Sequence, residues 1–559
     1  MGKTDWDVVT NYSDAVTTAL KTVTFPKVQE QVYLRNQGNA NLTYTIGSQS
    51  GTLTPGQSVT VNQDVSSFTL QATTGTHTFE VRAKEKGTEI SYQDPDILTN
   101  VVKQGVISPI GFRDLSVSQG STGRSNTNQT TTSRVRIFPK YDCQDLILVF
   151  TNLYRLNGNT LAANTNSITV KASLEINGTL IPVFFNAKRN VTIEGGGAVH
   201  SDPIGCLISP SDTVCVRTYA DAGASGYLPT TISLQQIGSF IEGFSTGADL
   251  TDSGTVANIS GGSQSAYTPT TVYGKVKNSL KSYILAGDSI MDGSGDIPQL
   301  TGNSGFVARR LFNDKIGYTK IALGGETTTS FLQYLHLRTP LIKNHTGVIC
   351  DYGINDVLGG STIAATQANL LKIWKYFAAK GLDVYQTTLT PRTTSTDNWL
   401  TLANQTISAQ ENVRLAINAW LRDTSSNGAV AQSGGDLLKV LDSAAMVENN
   451  GKWIEFSNPL FSGTVQSAAA GSITDTNLSS VITANVLSNN AIVKITGGTG
   501  AGQQRTVSWH TNATTLNMSA NWTVTPDATS TYQVFYIPTV DGTHPSAKCH
   551  DLMSQAINI

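Results

Sequence analysis

Apolar and polar residues alternate through residues 28–84, as in QVYLRNQGNANLTYTIG, GTLTPGQSVTV and SFTLQATTGTHTFEVRAK. Phe68 and Leu70, and again Phe79 and Val81, stand two apart, the spacing of half-buried strands. The pattern predicts a small β-sandwich, preceded by a weakly helical stretch at 8–22. Residues 85–112 read as a polar connector. Strand texture returns over 113–257, in RVRIFPKY, DLILVFTNLY, SITVKASLEING, LIPVFFNA, DTVCVRTYA and TISLQQI. Short strands broken by Gly, Asn and Pro predict a second sandwich of jelly-roll type. NISGGSQSAYTPTT, at 258–271, reads as a linker.

From residue 282 the period changes. SYILAG precedes SGFVARRLFND, YTKIAL precedes TTSFLQYLHLR, and GVICDYG precedes IAATQANLLKIWKYFAAKG. DVYQTTL then precedes ISAQENVRLAINAWLRD, with LLKVLD after it. Alternating strands and helices predict a three-layer α/β domain, a parallel sheet covered on both faces. Active sites of such sheets lie beyond the carboxyl ends of the strands. Strand texture resumes at 458–537, which predicts a β-rich insertion, and PSAKCHDLMSQAINI supplies a final helix. The expected organisation is multidomain: 1–112, 113–275, 276–457 with 538–559, and the insertion 458–537. A chain of 559 residues is longer than one core usually supports.

Composition narrows the function classes. Net charge is -2 and charged residues make up 14%, so no basic surplus points to nucleic acid. No apolar run approaches the roughly 20 residues that cross a bilayer. The first residues, MGKTDWDVVTNYSDAV, lack the basic-then-apolar pattern of a secretion signal. A protein acting outside a cell is then expected to leave by another route, such as lysis releasing phage particles. The five cysteines include one close pair, Cys206 and Cys215, readable as hairpin partners or as two free buried thiols. No CxxC spacing suggests a metal or redox framework.

Four short blocks carry candidate chemistry. Gly287-Asp288-Ser289-Ile290 ends the first strand of the α/β region, where a serine can expose its hydroxyl. Leu323-Gly324-Gly325-Glu326-Thr327 ends the second, and a glycine N–H there can hold an oxyanion. Gly353-Ile354-Asn355-Asp356 ends the third, offering a side-chain amide. Asp541-Gly542-Thr543-His544-Pro545 lies just before the last helix, close enough for a carboxylate to hold an imidazole. These blocks, in this order, resemble those of the SGNH hydrolases, also called GDSL esterases. The resemblance covers 282–457 and 538–559. Ile290 stands where the family pattern usually has Leu, and no Asn precedes the paired glycines.

The resemblance implies Ser289 as nucleophile, His544 as base and Asp541 as its partner. Ser289, Gly325 and Asn355 are the implied oxyanion donors, and neither metal nor cofactor is required. Other residues are read as structural: His336, His345 and His550, with Asp288 and Asp356 bracing loops. Trp399 and Trp453 are read as packing before sugar stacking. Arg392, after the fourth strand, is a candidate for the substrate cleft, and Trp509 and Trp522 are candidates for an exposed rim.

The first β module, at 28–84, also resembles N-terminal modules of phage tail proteins. Together these readings point to a serine esterase that deacetylates an O-acetylated cell-surface polysaccharide. The expected setting is a tail spike, extracellular or on the virion, with other phage tail proteins as partners and a homotrimer as the common assembly. A secreted bacterial carbohydrate esterase or lipase is the alternative enzyme. A receptor-binding fibre with an inactive hydrolase fold is the alternative of another class.

Overall fold

The computed structural model describes residues 12–61, 65–75, 77–85, 107–109, 124–125, 127–139, 141–237, 239–259, 264–276, 281–297, 302–482, 487–509 and 512–559. Residues 12–85 form one seven-stranded antiparallel sheet. Its organising element is the 16-residue strand Lys21–Asn36. This strand pairs with Val65–Ala72 through its first part and with His77–Glu85 and Ser58–Val61 through its second. The sandwich read from the sequence is therefore a continuous sheet, because one strand changes partners at the register shift between Thr24 and Gln29. Val32, Leu34, Leu42, Phe68, Leu70, Phe79 and Val81 gather in its core.

The helical reading of 8–22 is also corrected. Tyr12–Val16 is a strand paired to the 77–81 segment, and residues 8–11 lie outside the described residues. Weak helical spacing loses here to a sheet edge able to satisfy the backbone. Most of the connector at 85–112 is likewise outside the described residues. Within it, Ile107–Pro109 is a strand on Tyr273–Lys275, so the second β unit begins before residue 113. The linker reading of 258–271 also shrinks. Gln264–Ala266 pairs with Ile232–Leu234, and Thr271–Val276 lies inside a five-stranded sheet; residues 260–263 are not described. Threonine-rich sequence serves strands as well as linkers, since its branched Cβ suits the pleat.

This second unit has two antiparallel sheets, of six and five strands. Val135, Val170, Leu174 and Val216 from one meet Leu146, Leu148, Phe150 and Val272 from the other in a single core. Within strand Cys143–Thr151 the run LILVF is apolar on both faces. Leu146, Leu148 and Phe150 enter that core, while Ile147 and Val149 pack on a cluster that includes Ile321, Leu323 and Phe331 of the α/β unit. The period-two alternation of a strand thus serves two cores at once, and the two units share a continuous apolar interior.

In the α/β unit, β1 (Ser282–Gly287), β2 (Gly317–Lys320), β3 (Gly347–Asp351), β4 (Asp383–Thr387) and β5 (Lys439–Leu441) are all parallel, in the order β2-β1-β3-β4-β5. The helices used below are α1 (Ser289–Asp292), α2 (Phe306–Asn313), α3 (Thr328–Tyr334), α4 (Ile354–Leu358), α5 (Ile363–Ala378), α6 (Glu411–Arg422) and α7 (Ala547–Ser554). Ile284, Ala286, Val348 and Cys350 pack with Phe331, Leu370, Trp374, Phe377 and Ile417 of α3, α5 and α6. Their strand neighbours Tyr283, Leu285 and Ile349 pack the other way, with Phe306, Leu311 and Met553 of α2 and α7. Strands buried on both faces explain the unbroken apolar runs in sequence. α5 shows the matching helical logic: Thr362 caps its N-terminus, and Leu370, Ile373, Trp374 and Phe377 recur at helical spacing on its buried side.

Phe461–Tyr536 folds as a further seven-stranded antiparallel sheet with its own core. Trp522, read as an exposed rim aromatic, is only 5% exposed and belongs to that core. Its indole is large enough that burial inside a small sheet outweighs exposure. The side chain of Trp509 lies outside the described residues. Asn490 of this sheet accepts the N–H of Ala547 at 2.6 Å, fastening the insertion to the start of α7. All five cysteines are free thiols. No helix among the described residues is long and apolar enough to cross a membrane.

Candidate active site

The carboxyl end of β1 sets the position of Ser289. Gly287 closes the strand, Asp288 is still extended, and its Oδ1 accepts the Ile290 N–H at 2.9 Å. This N-cap starts α1 with Ser289 as its first residue. Asp288 itself is fully buried. Burial first, and then the charges of Asp351, Asp356 and Glu326, push its carboxyl well above the usual range. The group acts as a brace: its Oδ2 accepts the Asn355 amide at 3.1 Å.

His544 arrives from a different part of the chain, held by a tight loop. The Thr539 hydroxyl donates to the His544 carbonyl at 2.6 Å and accepts the Gly542 N–H at 2.9 Å. Asp541 Oδ1 accepts the N–H groups of Thr543 and His544, both at 2.9 Å. Two neighbours hold the outside of the turn: Trp453 donates its indole N–H, and Thr393 its backbone N–H, to the Gly542 carbonyl at 3.0 Å. The loop after Ser289 and this loop approach closely at Gly295, where a Cβ would lie 2.2 Å from the Pro545 carbonyl oxygen. Only glycine allows that contact.

The result is a hydrogen-bonded relay of three side chains. His544 Nδ1 lies 2.6 Å from Asp541 Oδ2, and Nε2 lies 2.8 Å from Ser289 Oγ. The carboxylate fixes the proton on Nδ1, which leaves Nε2 to accept from the serine hydroxyl. Partial burial would raise the Asp541 carboxyl, but hydrogen bonds from the His544 side chain, its N–H and the Thr543 N–H outweigh this and lower it to about 2. It stays ionised wherever the imidazole is a working base.

The glycine block follows β2. Among the described residues none accepts from the backbone N–H of Ser289 or of Gly325, so both are left able to donate. Asn355 stands at the start of α4 and donates its amide to Asp288 Oδ2 and to the Glu326 carbonyl at 3.2 Å. It ties three blocks together in the resting state. Donation to a substrate oxygen requires one of these two bonds to be exchanged. Beneath the loop, Glu326 is buried against Arg338 at 2.8 Å and accepts the Tyr352 hydroxyl at 2.9 Å. Asp356 accepts the Thr328 N–H at 2.9 Å, anchoring the start of α3.

Other sequence candidates fall as follows. His550 is buried, its Nε2 on the Ser294 carbonyl and its ring stacked on Phe306. His345 bonds Thr319 and the Lys343 carbonyl, and burial lowers it to about 4. His336 is exposed. Arg392 is exposed, and its backbone lies beside the His544 loop through Thr393. Trp453 is fully buried under the His544 loop, and Trp399 donates to the Thr393 hydroxyl at 2.9 Å. The sequence reading assigned no role to Trp453 or Thr539 in shaping the loop. It also missed Arg155, whose guanidinium reaches the Gly324 carbonyl from the second β unit at 2.7 Å. Nothing local in LYRLNGNTLAA marks that reach.

Residues 285–440 match the GDSL-like Lipase/Acylhydrolase family. No curated protein matches significantly. Similar solved structures include a GDSL-like lipase from Bacteroides thetaiotaomicron, at 18% identity over 31% of this chain and 73% of that one, TM-score 0.22. A member of the lipolytic G-D-S-L family from Veillonella parvula shows 17% identity over 30% and 80%, TM-score 0.23. An SGNH-hydrolase family esterase shows 17% over 29% and 76%, TM-score 0.20. Likenesses this weak carry no functional weight, whereas the family match spans the serine, glycine and asparagine blocks and ends before Asp541. With the relay geometry supplying the remaining pair, the chain carries a GDSL/SGNH hydrolase domain.

Proposed function

We propose that the protein is a serine esterase that removes O-acetyl groups from a cell-surface polysaccharide, acting as part of a phage tail spike. The observation that carries the esterase reading is the continuous relay from Asp541 through His544 to Ser289. Ser289 Oγ attacks the ester carbonyl as His544 Nε2 takes its proton. The N–H groups of Ser289 and Gly325 hold the oxyanion, joined by the Asn355 amide. The imidazolium then returns the proton to the leaving sugar alkoxide, and a water activated by the same imidazole releases acetate from the acyl-enzyme. An intact relay favours this over a fibre with an inactive hydrolase fold.

The polysaccharide and tail-spike parts rest on the company the domain keeps. Antiparallel β units precede it, one of them sharing its apolar core, and an inserted β sheet is fastened beside the histidine loop. Such surfaces suit a long polymer better than a lipid. The test is acetate release from purified O-acetylated polysaccharide, with Ser289→Ala as control. Acetate should appear while polymer length is unchanged. Release of fatty acid from triglyceride with no release from any acetylated polymer would favour the lipase alternative.

Asn355→Ala should lower kcat by about a hundred- to a thousandfold, the cost of one oxyanion donor. Fluorophosphonate labelling of Ser289 should persist but slow. An unchanged kcat would remove Asn355 from the oxyanion site.

A further inference from the structure

The second β unit sends a hairpin into the catalytic domain. Its strands, Leu153–Leu156 and Thr160–Ala163, pair from Leu153 with Ala163 to Leu156 with Thr160. Leu153 and Leu161 are fully buried in the core that holds Ile321, Leu323 and Phe331. The hairpin is therefore rooted in the hydrolase, and its turn rests on the glycine block. A Cβ added to Gly325 would meet the Asn159 Cβ at 3.1 Å and the Gly158 oxygen at 3.6 Å. Ser330 of α3 donates to the Asn159 carbonyl at 3.4 Å.

Arg155 lies on this hairpin. Its Nε donates to the Gly158 carbonyl, which locks the guanidinium to its own turn, and its Nη2 donates to the Gly324 carbonyl at 2.7 Å. That carbonyl belongs to the same peptide unit as the Gly325 N–H. In a trans peptide the two point in opposite directions. A cation held on the oxygen therefore aims the N–H away from the hairpin. It also draws electron density toward the carbonyl, which makes the N–H a stronger donor. The need for such a clamp is visible in the sequence Gly324-Gly325. With glycine on both sides and Gly325 at φ 76°, the peptide has little steric resistance to flipping. Burial disfavours the Arg155 charge, and Asp292 and Glu326 partly offset that cost.

We infer that Arg155, supplied by the β unit in front of the hydrolase, is a positioning residue that orients and polarises the Gly324–Gly325 peptide as an oxyanion donor. This rests on the esterase reading above. It makes the β unit a component of the active site, because the hydrolase segment alone does not contain the residue that holds its own donor. A merely structural clamp would instead join two units without affecting turnover.

The experiment uses the full chain, p-nitrophenyl acetate and a fluorophosphonate label, with thermal unfolding measured in parallel. In Arg155→Met, kcat should fall by about ten- to a hundredfold, less than for loss of a donor itself, with KM changed by no more than about twofold. Arg155→Lys keeps one charged donor and should recover a large part of kcat. Added guanidinium ion should raise kcat of Arg155→Ala and leave the wild type unchanged. If Arg155→Met does not fold, the Arg155→Lys value and the guanidinium response decide. Folded Arg155→Met with wild-type kcat, or Arg155→Ala that is folded and unresponsive to guanidinium, would overturn the inference while leaving the esterase reading intact. A wild-type protein that neither cleaves the ester nor takes the label at Ser289 would overturn both.

Discussion

Ser289→Ala should leave a folded protein whose ester hydrolysis is reduced by about 10⁴- to 10⁶-fold, as expected when the nucleophile of a triad is removed. In the proposed mechanism this hydroxyl is the group that forms the acyl-enzyme. Its loss removes one hydrogen bond, to His544. The N-cap at Asp288 that starts α1 does not involve the Ser289 side chain. Alanine is the best helix former, so the turn into α1 should keep its shape. His544→Ala should reduce turnover comparably, because the serine hydroxyl is then left without a base. The two residues act as one unit, so the double variant should be scarcely slower than either single one. Initial rates on p-nitrophenyl acetate and the unfolding midpoint test this together. Near-normal turnover in folded Ser289→Ala would falsify the assignment of the nucleophile.

Much of this site was legible because its residues sit in short contiguous blocks at strand ends. Ser289 follows β1, Gly325 follows β2 and Asn355 follows β3, so reading the strands located the blocks. Asp541 and His544 are three apart, and the β sheet at Phe461–Tyr536 that precedes them does not disturb a local turn. What stayed hidden depends on packing between distant segments. Arg155 meets Gly324 across 169 positions, and Trp453 meets Gly542 across 89; no periodicity encodes such pairs. The Lys21–Asn36 strand shows a related failure. Alternation reported strands there, but it does not report that one strand changes partners midway. Trp522 was misread because an aromatic in a polar stretch, SANWTVTPDA, gives no local sign of which sheet face it occupies. The resting role of Asn355 as a tie between Asp288 and Glu326 was likewise invisible, since a motif names the residue and not its partners.

Asp541→Asn should lower kcat by about 10⁴-fold, the effect of turning the imidazole of a triad to the wrong tautomer. Asp541 does two jobs with different oxygens. Oδ1 receives two backbone N–H groups that shape the turn, and an asparagine oxygen can keep both. Oδ2 receives the Nδ1 proton at 2.6 Å, and there asparagine presents an NH₂ instead. That donor requires an unprotonated Nδ1, which moves the ring proton to Nε2, facing Ser289. Nε2 can then no longer accept the serine proton, although every atom stands nearly where it did. The pH dependence separates this from loss of structure. The wild-type carboxyl is lowered to about 2 from an ordinary value of about 3.9. A depressed carboxyl contributes stability that is fully present above the unfolded value and is lost as pH falls through the folded one. The unfolding midpoint of the wild type should therefore exceed that of Asp541→Asn at neutral pH, and the gap should close between about pH 4 and pH 2. The side chain is 49% exposed, so solvent screening keeps that gap small, while the loss of turnover should be large at every pH. An Asn variant that turned over at the wild-type rate would show that His544 keeps its tautomer without the carboxylate.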